Sequence, residues 1–329
     1  MASTNFRTTL NEWPANVQIS HGDGILCMGS CFAEHIGIKL EDRKFSTLVN
    51  PSGIIYNPVS LAQTLKWTAT GHRFPDEDVF EGGGQWHSYY HHSRLSALSR
   101  EALLENINGA MERAGFFFRE KTTRLLLTLG TALVYEHVER GEVVANCHKL
   151  PAKTFTRRRL TVEEAVDALS AAFQTMFRYR SGMEIILTVS PVRHLREGMV
   201  ENQRSKATLV LAAARLAELF PNVHYFPAYE LLLDDLRDYR FYAEDMVHPS
   251  TQALGYIWDF FSQTYFSEET QKVIQEVEAI IRAAAHRPFQ PGSEAHRAFQ
   301  SAQLGRIAEL ERRYSFLDLG REKAVFGGF

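Results

Sequence analysis

Five short apolar runs, each leading directly or through a loop into a helix-length segment, constrain this chain more than any other feature. They are Ile25–Met28, Phe45–Val49, Arg124–Leu129, Glu184–Val189 and Val223–Phe226. Runs this short, bounded by turn residues, read as buried strands rather than helices, and Phe45–Val49 reads as a strand by its alternation. The helical segments between and after them are Phe32–Asp42, Pro58–Thr68, Ser99–Ala114, a helix opened by Thr161 and running to Tyr179, Asn202–Phe220, Tyr229–Leu236 and Ser250–Phe266. Thr161-Val162-Glu163-Glu164 has the form of a capping box. Strands alternating with helices require crossover connections, which predicts an α/β fold: a mostly parallel sheet inside a three-layer α/β/α sandwich.

Other segments break this rhythm. Residues 1–23 are a polar lead-in without the charged-then-apolar layout of a signal peptide. Residues 71–98 show weak periodicity around Gly82-Gly83-Gly84 and read as a long loop. Glu139-Arg140-Gly141 joins two short apolar stretches as a hairpin. Beyond Ser267 the character changes to charged, polar helices over residues 267–285 and 294–314, separated by a Pro/Gly breaker. This predicts a domain over 1–266 and a helical extension over 267–329, with a solvated or self-associating face that makes a homo-oligomer an option.

The net charge of −3 argues against nucleic-acid or anionic-membrane partners. No apolar run approaches the ~20 residues that span a bilayer. The three cysteines form no disulfide framework and fit a reducing, cytoplasmic setting.

The chemistry-bearing stretch is Gly24-Ile25-Leu26-Cys27-Met28-Gly29-Ser30-Cys31-Phe32. It sets the Ser30 hydroxyl at the end of a strand and the start of a helix, where unpaired N–H groups stabilise an oxyanion. Ser30 is a nucleophile if a base reaches it, and otherwise a helix cap. The candidate base is His248, three residues after Asp245; on one helical turn the two share a face. Asp245 would then hold the imidazole as a triad requires, and His248 would act as general base and then general acid. The plainer reading of this pair is a helix-entry turn before Pro249 and Ser250.

Gly29-Ser30-Cys31-Phe32-Ala33 resembles the signature of the GSCFA family, and Asp245-x-x-His248 resembles the last block of the SGNH (GDSL-type) hydrolase superfamily. Asn50-Pro51-Ser52-Gly53, Leu129-Gly130-Thr131-Ala132, Asn146-Cys147-His148-Lys149, Ser190-Pro191-Val192-Arg193-His194 and Tyr239–Asp245 extend the likeness over roughly residues 5–265. The resemblance implies a bacterial SGNH-like domain that cleaves acyl esters, an O-acetylated carbohydrate among them, through an acyl-Ser30 intermediate. It implies no cofactor and no metal. Its oxyanion hole would use the Ser30 and Gly53 N–H groups. Where the superfamily places an asparagine this chain has Gly130-Thr131-Ala132, which leaves Thr131, or Asn146 or His148 on the adjoining hairpin, as the third donor. The family blocks also nominate His148, Arg193 and His194 for substrate binding.

Other motifs point elsewhere more weakly. His87, His91 and His92 cluster without a His-Glu-x-x-His or Cys-x-x-Cys frame, and read as a wet surface cluster or substrate loop. Cys31 beside Ser30 is an alternative thiol nucleophile, though a small packed residue is the plainer role. Asn202, Ser205 and Lys206 read as capping residues at a helix start. Two further readings use the same cleft: acyl transfer to a sugar hydroxyl, and ligand binding without turnover.

Overall fold

The computed structural model describes residues 8–14 and 16–327; the first seven residues of the polar lead-in lie outside the described residues. Five parallel strands form the central sheet: β1 (Gly24–Gly29), β2 (Ser46–Val49), β5 (Thr122–Leu129), β9 (Glu184–Val189) and β10 (Val223–Phe226), in the order β2-β1-β5-β9-β10. All four pairings are parallel, with Leu26 opposite Leu125 and Leu125 opposite Ile185 in register. Side chains alternate across the sheet as the strand period of two requires. Leu26, Met28, Leu125, Leu127, Leu129, Ile185 and Leu187 fill one core, and Ile25, Cys27, Leu126 and Ile186 fill the other.

The first core is closed by α2 (Pro58–Thr70), α3 (Arg100–Glu120), α4 (Val162–Tyr179) and α5 (Gly198–Leu219), and the second by α1 (Cys31–Asp42) and α7 (Thr251–Tyr265). A short helix after β10, α6 (Ala228–Glu230), continues as a wider π-turn through Leu236. Local signals set the helix ends. Asn57 caps α2 ahead of Pro58, and Gly71 closes it with φ 73°. Thr161 and Glu164 form the expected capping box, each side chain taking the other's N–H.

Counting only the sheet's strands, the order is 2-1-3-4-5. The chain reverses direction across the sheet between β1 and β5, and a crevice opens there at the strands' carboxyl ends. That crevice is roofed by segments with little sequence signal. Residues 71–98 are not structureless: they contain the hairpin of β3 (Val79–Gly82) and β4 (Gln85–Ser88). The Glu139-Arg140-Gly141 hairpin joins β6 (Leu133–His137) to β7 (Glu142–Val144). A third strand, β8 (Phe155–Arg159), pairs with β6; its Phe-Thr-Arg-Arg-Arg sequence conceals a largely solvent-facing edge strand.

The C-terminal segment also departs from expectation. It holds three helices, α8 (Glu268–Ala285), α9 (Glu294–Arg313) and α10 (Gly320–Gly327), around a core of Val273, Val277, Ile280, Ile307, Leu310, Leu317, Leu319 and Phe326. Arg43–Glu278 and Lys44–Glu322 ion pairs fasten it beside the end of α1, and Ile274 packs into the main second core. Its apolar stripes are therefore covered within one chain rather than left as the solvated face of two polar helices. Among the described residues no helix is long and apolar enough to cross a membrane.

Candidate active site

Ser30 stands between β1 and α1 at the topological switch point. Gly29 makes the turn with φ 129°; a Cβ there would lie 2.1 Å from the Thr128 carbonyl oxygen, so only glycine lets β1 pass β5 this closely. The Gly29 N–H donates to the Asn50 side-chain oxygen at 2.8 Å, and its carbonyl accepts the Ile55 N–H at 3.0 Å. Asn50 itself sits at φ 40° and is buried. Ser30 is fully buried, and its Oγ accepts the Phe32 N–H at 3.2 Å as the N-cap of α1. The capping role is therefore real. It uses a lone pair and leaves the hydroxyl proton to be given to a base.

Asp245 and His248 meet, but not on a helix. They lie in an irregular turn in which Met246 has φ 57°. One Asp245 oxygen accepts the Val247 and His248 N–H groups at 2.9 Å each, and the other takes the His248 Nδ1 at 2.6 Å. This turn presents the imidazole's other nitrogen away from the carboxylate. Hydrogen bonds from the His248 backbone, the His248 ring and the Val247 backbone hold the Asp245 carboxyl down to about 2, so it is ionised at any working pH. Both side chains are about half exposed, as a site open to substrate requires. The Val247 carbonyl accepts the Arg193 N–H at 3.1 Å, which ties this turn to the loop after β9 at the sheet's carboxyl end.

The expected oxyanion donors are differently placed. The Ser30 N–H donates to Thr128 at 3.2 Å and the Gly53 N–H closes its own turn to Asn50 at 2.8 Å. The Thr131 N–H reaches the Tyr56 carbonyl at 3.1 Å, while its hydroxyl shares a hydrogen bond with Ser205 at 2.9 Å. The Asn146 amide donates to Ser93 at 3.0 Å, and its oxygen accepts the His148 N–H at 2.9 Å. All four expected donors thus carry an intramolecular partner, because the loops at the strand ends close on one another. One donor the motif reading missed is the Cys31 N–H in the first turn of α1, which among the described residues meets no acceptor beyond its own thiol; the buried Asn50 amide is also without a partner among them.

Thr131, Asn146, His148 and His194 line one cleft of about 820 Å³, together with Tyr56, Asn57, Tyr135, Phe155, Arg157 and Glu197. His194 donates its N–H to Asn202, meets Tyr56 edge-on at 5.1 Å, and holds a buried Nε2 without a partner among the described residues. Burial, then the charges of Lys206 and His248, pushes it down to about 3, so it is neutral. His148 stacks on His87 at 4.5 Å, bonds the Ser88 carbonyl at 2.8 Å, and is held down to about 4 chiefly by burial. Arg193 is a correction. Its guanidinium packs 3.9 Å from the Tyr242 ring centroid, with Tyr239 at 5.3 Å, outside the main cleft. Its N–H donates to Val247 at 3.1 Å, so it fixes the Asp245–His248 turn rather than contacting a cleft ligand.

A family model described as the GSCFA family matches residues 24–261, and a second, GSCFA domain protein, C-terminal domain, matches residues 277–327. The chain belongs to the GSCFA family. A comparison with curated proteins gives no match.

Two expectations for this GSCFA chain need revision. His87 and His91 are buried, not wet: His91 packs edge-on against Phe74 at 4.6 Å and is kept neutral by burial. Among the described residues no group of three or more His, Cys, Asp or Glu side chains is arranged to hold a metal. Asn202, Ser205 and Lys206 do not cap α5, which begins at Gly198. They face inward and tie down the strand-end loops: Asn202 holds His194, Ser205 accepts the Ala132 N–H at 2.7 Å, and Lys206 binds two carbonyls. Their burial is a property of the helix's orientation, which no local motif announces.

Proposed function

We propose that this GSCFA protein is an SGNH-type serine hydrolase that cleaves acyl esters, with an O-acylated carbohydrate as its substrate class. The observation that carries the reading is the 2.6 Å Asp245–His248 hydrogen bond, on a turn held to the same sheet end as Ser30. In the reaction Ser30 Oγ attacks the ester carbonyl and His248 takes the hydroxyl proton. The C–O bond to the alcohol breaks as His248 returns that proton to the leaving oxygen. Water, deprotonated by the same imidazole, then releases the acid from Ser30. Asp245 stays ionised and holds the His248 tautomer. The tetrahedral oxyanion is served by the Cys31 N–H and the α1 N-terminus. The cleft supports a sugar alcohol: Tyr56, Tyr135 and Phe155 supply ring faces beside Asn57, Asn146, Arg157 and Glu197.

The intramolecular commitment of the Ser30, Gly53, Thr131 and Asn146 donors favours a second reading, ligand binding without turnover. Turnover of p-nitrophenyl acetate and butyrate, with fluorophosphonate labelling mapped to Ser30, separates the two. The hydrolase reading requires labelling of the wild type and loss of both signals in Ser30→Ala and His248→Ala. Undiminished turnover in Ser30→Ala would sink it. A folded wild type that binds sugar esters but is never labelled would establish the binding role.

A further inference from the structure

Helix α5 turns Asn202, Ser205, Lys206, Leu209, Ala212, Ala213 and Leu216 toward the core. One member of that stripe is a lysine, 1% exposed. Its ammonium donates to the Gly130 carbonyl at 2.7 Å and to the Ser190 carbonyl at 2.6 Å. It thereby joins the tips of β5 and β9, directly beside the strand whose tip bears Ser30. The groups that face it are the Cys31 thiol from α1, the His194 imidazole from the loop after β9, and the Tyr229 ring from α6 at 5.8 Å. No carboxylate is among them. A buried ammonium without a counter-ion is costly and is seldom kept for stability alone. Two neutral carbonyls solvate such a charge only in part.

Among the described residues this region is poor in hydrogen-bond donors: the four expected ones are spent on neighbouring strand and loop groups, which leaves the Cys31 N–H and the Asn50 amide. A positive charge under a site poor in donors has an evident use when negative charge develops there. We propose that Lys206 is a positioning residue that also supplies the positive potential of the oxyanion site, acting through the strand tips and the start of α1. The proposal rests on the Ser30 nucleophile reading. When charged, the ammonium opposes the upward push that burial gives the Cys31 thiol, as a cation near the start of α1 does. Burial also holds Lys206 itself near neutrality, at about 7, so the charge is present below that pH and fades above it.

The test compares wild type with Lys206→Gln, which keeps donors for the two carbonyls but not the charge, and Lys206→Met, which keeps neither. The first readout is the NMR titration of isotope-labelled lysine, in which the wild type should show one ammonium losing its proton near neutrality. The second is the rate of fluorophosphonate labelling at Ser30, whose adduct places an oxygen where the oxyanion forms. Both variants are expected to lose that resonance and to slow Ser30 labelling about tenfold, most strongly below neutrality. A Gln variant that labels at Ser30 as fast as wild type at every pH overturns the proposal, since the lysine would then only tie loops together. If wild-type Ser30 resists labelling, the hydrolase reading fails, and lysines that all titrate in the ordinary range refute the buried charge independently. Should both variants fail to fold, the titration of wild type decides alone.

Discussion

Replacing Asn50 with alanine should loosen the turn that carries Ser30, and the cost can be worked from its contacts. The Asn50 side-chain oxygen is the partner of the buried Gly29 N–H at 2.8 Å. Removing it leaves that donor without water or protein acceptor, worth ~1–3 kcal/mol. Asn50 also holds φ 40°, which asparagine tolerates better than alanine, adding ~1 kcal/mol. The amide nitrogen is buried without a partner among the described residues, so removing it forfeits no hydrogen bond and recovers part of that cost. Asn50→Ala should therefore destabilise the protein by ~1–3 kcal/mol. Asn50→Gly relieves the backbone strain and should cost ~1 kcal/mol less. Urea unfolding followed by tryptophan fluorescence measures both, with a midpoint shift at unchanged slope. An Asn50→Ala variant within ~0.5 kcal/mol of wild type would refute the account of the Gly29 anchor. So would a glycine variant less stable than the alanine one.

Three other outcomes follow from the same geometry. Asp245→Asn should lower ester turnover by on the order of 10⁴ by presenting the wrong imidazole tautomer, with thermal unfolding unchanged because the side chain is half exposed; steady-state kinetics beside calorimetry checks it. His91, His148 and His194 are held below the ordinary histidine value by burial, to about 3, 4 and 3. The unfolded chain therefore takes up protons first, so stability is full above about pH 6.5 and falls as the pH drops toward those values; His91→Asn should flatten that acid slope in urea melts at pH 7, 5.5 and 4.5. Lys206 follows the same sign at higher pH. Its native pKa of about 7 lies below its unfolded one, so wild-type stability gains up to ~1.4 kcal/mol per pH unit from pH 7 toward 10 relative to Lys206→Met, and a parallel pH dependence of the two proteins would contradict the burial of that charge.

The sequence alone determined the features that are local. Five short segments became five parallel strands because an apolar or alternating run bounded by turn residues has few other ways to be buried. The Asp245–His248 contact spans three residues, so it was readable even though a side-chain-anchored turn replaced the expected helical one. The GSCFA assignment likewise rested on short ordered blocks. What only the tertiary structure decided depends on pairs far apart in the chain. β8 was concealed because an edge strand with a solvent-facing side accepts arginines and loses its apolar signal. The C-terminal helices read as polar because each carries a narrow apolar stripe, which becomes a core only when three of them meet. Gly53 and Thr131 read as free donors, yet hydrogen-bond accounting is global, and the carbonyls of Asn50 and Tyr56 had already taken their N–H groups. Lys206 read as a capping residue at a helix start; the rotation of α5 against β5 and β9 buries its charge, and that rotation follows from packing rather than from any motif.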